Sequence, residues 1–563
     1  MLHQEISMAE KKISTLSRFL EILRFEKNEI TSIYFYSIFA GLVQLSLPLG
    51  IQSIISFVLG GAISTSLVLM VIIVIVGVFL NGLLQVNQMK IIEKIEQQLF
   101  VRYSFLYAHK IPNLNQKDIN DYYLPELVNR FFDTVSLQKG IAKILLDIPA
   151  ATIQIVFGLI LLSFYHPVFI FFGILLLSIL YLILRTTGNK GLETSIEESN
   201  YKYKVAGYLQ ELARVITTFK FSRNNSLHIS KTDKYVSGYL SARTSHFKIL
   251  LFQYWTLVIF KVLIVSSMLV IGGYLLVNQQ LNIGQFIAAE IVILMVLGSV
   301  EKLIINLDKV YDVLTSIEKI TKVIDKPNEK SGDLHIKDLE SPLNIKIKDL
   351  SFCYEDGKNV LNNISVEIAA GEKICIMGRD NSGKSTLLRL LTGTYPNYKG
   401  TILINGVPQS SYDTKSIRIN TGILVQMQDI FQGTLRENIC VGDDTITYFQ
   451  LNELAEIVGL KKFIDEHTEG YDLELFPMGQ HLSGRVIKMI LLMRALIHNP
   501  KLLLLEEPWL GLEEEYANKI KNYLLSYSQD NVMVVVSNDE TFAAKCDKVI
   551  VLEKGTIKSL TVK

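Results

Sequence analysis

Ile374–Leu391 reads ICIMGRDNSGKSTLLRLL. An apolar run of strand type ends at Met377, and Gly378-Arg-Asp-Asn-Ser-Gly383-Lys384-Ser385-Thr386 then opens a helix-patterned segment with Leu387, Leu388, Leu390 and Leu391. This is G-x-x-x-x-G-K-[ST] in the strand-to-helix context that the motif requires. Glycine lets the backbone wrap closely around a polyphosphate, while successive N–H groups and the helix N-terminus offer it partial positive charge. Lys384 is placed to add a full charge at the β/γ-phosphates, and the Ser385 hydroxyl to ligate Mg²⁺. Gly378, Asn381, Ser382, Gly383, Lys384, Ser385 and Thr386 are therefore the candidate residues for holding ATP. A chance match would be a plain Gly/Ser-rich turn.

Outward from this stretch, Leu343–Ile347 and Ile364–Ile368 alternate as strands do, and Gly393, Gly400 and the run Thr401–Ile404 keep the α/β character. A parallel-sheet nucleotide domain is expected. Asp325–Asp333 (DKPNEKSGD) is polar and turn-rich, and divides this half from the one before it. The predicted domains are 1–325 and 326–563.

The first half has a different composition. Of the 563 residues, 49% are hydrophobic, mean hydropathy is +0.30, and the apolar excess falls before residue 310. Six stretches approach or exceed the roughly 20 residues needed to cross a bilayer core: 31–59, 65–84, 141–164, 168–184, 249–277 and 283–300. Connections at 60–64, 165–167 and 278–282 are short and carry no Lys or Arg, whereas 87–138 and 186–247 are long and basic. The positive-inside rule predicts cytoplasmic long segments and cytoplasmic termini. The expected fold is thus an α-helical six-span membrane domain followed by an α/β P-loop nucleotide-binding domain.

Ser14–Glu26 spaces Leu16, Phe19, Leu20 and Leu23 along one face, as an interfacial helix or a soluble amphipathic one would. No cleavable signal peptide is expected. Lys261 and Glu290 interrupt the fifth and sixth spans. The apolar residues of the fifth contribute on the order of −5 kcal/mol against about +3 for one central Lys, so the span stands. Substrate contact, a Lys261–Glu290 pair and snorkelling of Lys261 to the inner interface all remain open; a depth difference of roughly 10–15 Å opposes direct pairing. A net charge of +1 gives no footprint for nucleic acid. Cys353, Cys375, Cys440 and Cys546 show neither CxxC nor Cys/His spacing, which argues against a zinc site or a disulfide framework.

In order and spacing, the motifs of the second half resemble the nucleotide-binding domain of ATP-binding cassette (ABC) exporters, and with six preceding spans the resemblance covers essentially the whole chain. The layout resembles half-transporters of bacterial type I secretion and bacteriocin systems more than importers, whose membrane and ATPase parts are usually separate chains. The resemblance implies that Tyr354, in Phe352-Cys-Tyr354, stacks on adenine, and that Gln426 contacts Mg²⁺ and senses the nucleotide. Leu482-Ser483-Gly484-Arg485-Val486 stands where the family has LSGGQ, Leu510-Gly-Leu-Glu513 where it has the D-loop, and Ser537-Asn538 where it has its switch histidine. Leu502–Leu505 followed by Glu506 and Glu507 resembles the Walker B strand; Glu506 would hold Mg²⁺ through water and Glu507 would orient or deprotonate the attacking water. Ser483 and Gly484 would meet the γ-phosphate held by a partner cassette. Without the P-loop, Glu506 and Glu507 would read as surface charges after a core strand, and Tyr354 and Gln426 as ordinary strand and loop residues.

The departures are Asn381 for glycine, Arg485 and Val486 in the signature, Glu506 and Glu513 for aspartate, and Asn538 for histidine. ATP binding is expected to persist and hydrolysis to be slow. The resemblance implies ATP-driven export across the bacterial inner membrane by a homo- or heterodimer, with membrane lipid around it and a periplasmic adaptor as a further partner. No N-terminal peptidase domain is expected, since the membrane region starts near residue 30. The alternatives are a catalytically weak ATP-binding regulatory or scaffolding membrane subunit and a lipid or drug flippase.

Overall fold

The computed structural model describes residues 15–60, 65–115, 124–223, 226–336, 342–354, 357–425, 428–527 and 531–563. The chain forms two compact units, Met1–Asn328 and Glu329–Lys563.

The first unit is helical. Its main helices are α1 (Thr15–Phe25), α2 (Lys27–Gln44), α3 (Ser46–Leu59), α4 (Thr65–Lys110), α5 (Asp133–Tyr165), α6 (Val168–Arg214), α7 (Ser226–Val277), α8 (Ile283–Ile305) and α9 (Leu307–Ile324). Among the described residues, six helical segments are long and apolar enough to span a membrane. At about 1.5 Å per residue, α6 and α7 reach about 70–78 Å, more than twice the roughly 30 Å hydrocarbon core, so each runs on well beyond it. Phe79, Phe171 and Val270 are 70%, 72% and 72% exposed. Apolar surface of that extent needs a lipid solvent.

Several polar groups inside the bundle are paired with one another. Gln88 donates to the Ser37 hydroxyl at 3.0 Å, Gln253 to Thr187 and Tyr311 at 2.6 and 3.0 Å, and Ser299 to Gln154 at 2.7 Å. Such pairs satisfy groups that hydrocarbon cannot. The expected amphipathic helix is present as α1, its Ile22 buried while Leu16 and Leu20 stay exposed. Its Arg18 donates to Asp325 at 2.8 Å.

Lys261 pairs not with Glu290 but with Glu301, to which its ammonium donates at 2.5 Å. Helix rise supplies the reason. Lys261 lies about 24 Å inside the outer end of α7 and Glu301 about 27 Å inside that of α8, whereas Glu290 lies only about 10 Å in.

The second unit has strands β1 (Ile345–Cys353), β2 (Asn359–Ile368), β3 (Lys373–Met377), β4 (Lys399–Ile404), β5 (Val407–Pro408), β6 (Thr421–Leu424), β7 (Leu502–Glu506), β8 (Val532–Val536), β9 (Lys548–Glu553) and β10 (Thr556–Val562). The expected parallel sheet is present in the order β10-β9-β3-β8-β7-β6, with only the β9–β10 edge pair antiparallel. The expectation of a parallel sheet alone was incomplete, because β1 and β2 belong to a second, antiparallel sheet ordered β2-β1-β4-β5.

Sequence pattern explains the difference. β7 and β8 are buried at every position, as strands covered on both faces must be, while β1 alternates buried and open positions. Leu503, Leu505, Met533 and Val535 face one core, and Leu502, Leu504, Val532, Val534 and Val536 the other. The period of two thus divides the apolar side chains between two cores, and the C-terminal ends of β3, β7 and β8 carry the loops that matter below.

Candidate functional site

β3 delivers the chain into the P-loop, and the loop's shape follows from two glycines. Gly378 has φ +149°, and a Cβ there would lie 2.3 Å from the Leu552 carbonyl oxygen; Gly383 has φ +98°, and its Cβ would lie 2.6 Å from Leu361. Any larger residue is excluded at both by backbone conformation and by space. Asn381 takes the left-handed region at φ +60°, which asparagine tolerates better than most residues. Gly383 precedes the helix α10 (Lys384–Leu391), whose Leu387, Leu388, Leu390 and Leu391 are buried and fix its axis.

Lys384 curls over the loop and donates to the carbonyl oxygens of Gly378 and Arg379 at 2.7 and 2.8 Å. Ser385 donates its hydroxyl hydrogen to Glu506 at the tip of β7. The second Glu506 oxygen and the Ser382 hydroxyl are buried without a protein partner. Two oxygen donors in contact and two buried polar atoms without partners describe a site shaped for something polar. The longer Glu506, in place of aspartate, reaches Ser385 directly.

Glu507 sits just beyond β7 in the left-handed region at φ +45°, and its N–H donates to the Val536 carbonyl at 2.8 Å. A non-glycine residue held there stores strain of order 1–3 kcal/mol, which persists only when its surroundings enforce it. Ser537 donates to the Glu507 carboxylate at 3.2 Å. Asn538 does not stand free beside the site: its amide oxygen accepts the Gly378 N–H at 3.0 Å. The next residue, Asp539, is partly desolvated, which opposes ionisation, but Lys521, Thr541 and the Phe542 N–H together hold its carboxyl down to about 2. This anchors the turn that presents Asn538.

Tyr354 hydrogen-bonds Thr386 of α10 at 3.1 Å, and its ring meets Phe352 and Tyr395 edge to face. Ser483 caps the helix α11 (Gly484–Leu496), its oxygen accepting the Val486 N–H at 3.3 Å. Ser483, Gly484 and Arg485 are exposed, and a Cβ on Gly484 would meet nothing within 4 Å. Arg485 forms an ion pair with Glu513, and Lys488 donates to the Leu510 carbonyl at 2.8 Å. Burial lowers the Lys488 pKa, with Glu507 and Glu506 pulling the other way. Gln426 lies outside the described residues.

Gly378, Asn381, Ser382, Gly383, Lys384, Ser385, Thr386, Glu506, Glu507, Asn538 and Tyr354 therefore gather around the C-terminal ends of β3, β7 and β8. Ser483 and Gly484 are exposed at the start of α11. Sequence reading missed the holding role of Ser537, the packing of Tyr395 on Tyr354, and the pairing of Arg485 with Glu513. Only the last left a signal: an extra cation and a lengthened acid, in the two exposed loops, are charge-complementary departures.

Residues 30–300 match the family model for the ABC transporter transmembrane region, and residues 361–510 match that for the ABC transporter. The leukotoxin translocation ATP-binding proteins LktB of Mannheimia haemolytica and Bibersteinia trehalosi are each 30% identical over 289 residues, 51% of this chain and 40% of theirs. The chain thus covers less than half the length of the curated relatives it matches. Among solved structures, a bacterial Atm1-family ABC exporter with ATP bound has a TM-score of 0.84 at 18% identity, over 95% of both chains. That likeness is one of fold.

Proposed function

We infer that this chain, which joins an ABC transporter transmembrane region to an ABC transporter ATP-binding domain, is one half of a dimeric, ATP-driven exporter of the bacterial inner membrane. In this reading residues 1–325 carry the substrate path and 326–563 the ATPase, with both termini cytoplasmic. The observation that supports it most directly is the contact of Ser385 with Glu506 beneath Lys384, in a chain that also bears six membrane-length helices.

The residues fit the groups they would bind. The partnerless Ser382 hydroxyl and Glu506 oxygen, and the glycine-enforced cradle of N–H groups, suit a polyphosphate with a divalent cation. Lys384 would leave its two carbonyls for the phosphates, Ser385 and Glu506 would hold Mg²⁺, with Gln426 as a further ligand, and Tyr354 would flank the base. Bound Mg²⁺ supplies charge neutralisation for phosphoryl transfer. Glu507 would take the proton of the attacking water, with Ser537 fixing its carboxylate.

A dimer is favoured by Ser483 and Gly484. They are exposed at the start of α11, and Gly484 has open space where a partner's ATP could approach. Purified protein in mild detergent and in lipid is expected to be dimeric and to hydrolyse ATP slowly; a strict monomer with and without ATP would refute the reading. An exported protein or peptide is the cargo favoured by the likeness to LktB, and a periplasmic adaptor the accompanying partner. Slow turnover is favoured by the tie between Asn538 and Gly378, which occupies the side chain standing where the family has its histidine.

Topology gives a separate test. Gln279 and Lys220 are both exposed, so accessibility decides their labelling. A cysteine at Gln279 is expected to react with an impermeant thiol reagent added outside the cell, and one at Lys220 only after permeabilisation. The reverse pattern would overturn the orientation.

A further inference from the structure

An ion pair facing a cleft inside a membrane domain is unusual, because charges in hydrocarbon are costly and normally turned into the bundle or toward water. Lys261 and Glu301 form such a pair, with side chains 33% and 28% exposed. They line an open cleft of about 460 Å³ between α7 and α8, together with Ser266, Gly298, Val262 and Leu294. A Cβ on Gly298 would meet nothing within 4 Å, so the cleft is not filled by neighbouring side chains. Val262 and Leu294 are 60% and 54% exposed, which leaves the cleft with one apolar wall beside its charges. At about 24–27 Å from the outer ends of their helices, the charges lie close to the inner boundary of a roughly 30 Å core.

We propose that the Lys261–Glu301 cleft is a binding site for a zwitterionic amphiphile, whose headgroup exchanges with the ion pair while its chain lies along Val262 and Leu294. Charge accounting selects the headgroup. A singly charged ligand would pair with one side chain and leave the other unpaired at low dielectric, whereas a headgroup carrying both signs satisfies both. Two sources share this chemistry, a resident membrane lipid and an amphiphilic cargo. The site rests on the reading that the six helices span a membrane.

The test uses the full chain in nonionic detergent with three single-chain probes of equal chain length: lysophosphatidylethanolamine, lysophosphatidylglycerol and an alkyltrimethylammonium salt. Equilibrium binding is expected to favour the zwitterion by about tenfold. Lys261→Met leaves Glu301 alone and is expected to switch preference to the cationic probe; Glu301→Gln leaves Lys261 alone and should favour the anionic one. Lys261→Met/Glu301→Leu removes both charges with an apolar replacement of the pair that folds tolerate, and should bind all three alike. A merely structural pair would not produce this crossed pattern. Equal affinities in the unaltered protein, or single variants that weaken all three probes together, would overturn the site. Binding of a fluorescent ATP analogue is followed in the same samples, so that a failed cleft is distinguished from a failed transporter reading. ATP-dependent movement of the zwitterionic probe across proteoliposomes would identify cargo, and binding without movement a resident lipid.

Discussion

Glu507→Gln is expected to lower ATP turnover about a hundredfold while leaving ATP affinity within about threefold, as loss of a general base does. The variant is a narrow one. Glutamine keeps the length of the side chain, can still accept the Ser537 hydroxyl now 3.2 Å away, and leaves the backbone N–H on the Val536 carbonyl. What disappears is the capacity to take a proton. A hundredfold loss is about 2.7 kcal/mol in the barrier, within the range that one positioned acid–base group supplies. The measurement is steady-state ATPase beside equilibrium binding of a fluorescent ATP analogue. Unchanged turnover would remove Glu507 from the chemistry. Loss of binding together with turnover would mean instead that the left-handed turn at residue 507 had collapsed, a change that a thermal melt of the variant detects independently.

How much of this was legible in the sequence depends on whether a feature is local. The P-loop was, because G-x-x-x-x-G-K-S fixes its own backbone: the residues read as phosphate-binding are those whose conformations the fold enforces, Gly378, Asn381 and Gly383 at positive φ. The six spans were legible for the same reason, since apolar length is a property of a window of sequence. The second sheet was not. β1 and β2 show alternation, but alternation does not say which strand pairs with which, and β1 lies between β2 and β4 through contacts about fifty residues apart. The partner of Lys261 was lost in a similar way. The apolar pattern ends the sixth span at Val300, one residue before Glu301, so the carboxylate at the matching depth falls outside the window that holds Glu290. The resemblance puts Asn538 where the family has its histidine, yet its contact here, the Gly378 N–H, is a relation between two loops 160 residues apart that no pattern encodes.

That contact bears on the last expected result, a rise of about tenfold in ATP turnover for Asn538→His, equivalent to about 1.4 kcal/mol in the barrier.

 In the protein as it stands, Asn538 satisfies a P-loop N–H that a polyphosphate would otherwise attract, and it carries no ionisable group to offer in exchange. Histidine changes both terms at once, freeing Gly378 and adding a ring that donates a hydrogen bond and can carry charge. Asn538→Ala separates them, since it frees the N–H without supplying the ring. If release of Gly378 is the main effect, alanine should raise turnover nearly as far as histidine; if the imidazole is, alanine should leave the rate low and histidine alone should raise it. A protein that already hydrolyses ATP rapidly, and in which neither variant changes the rate, would show that Asn538 replaces histidine adequately. The gain is also bounded by the other departure. Arg485 is held by Glu513 on the exposed edge, in a loop that would have to serve a partner's nucleotide. In a homodimer each ATP site would combine an Asn538 with the partner's Arg485, so histidine relieves only one of two defects in each. In a heterodimer the same two departures fall in different sites, one through this chain's own Asn538 and the other through the signature it lends, and Asn538→His should then act on a single site and leave the other unchanged.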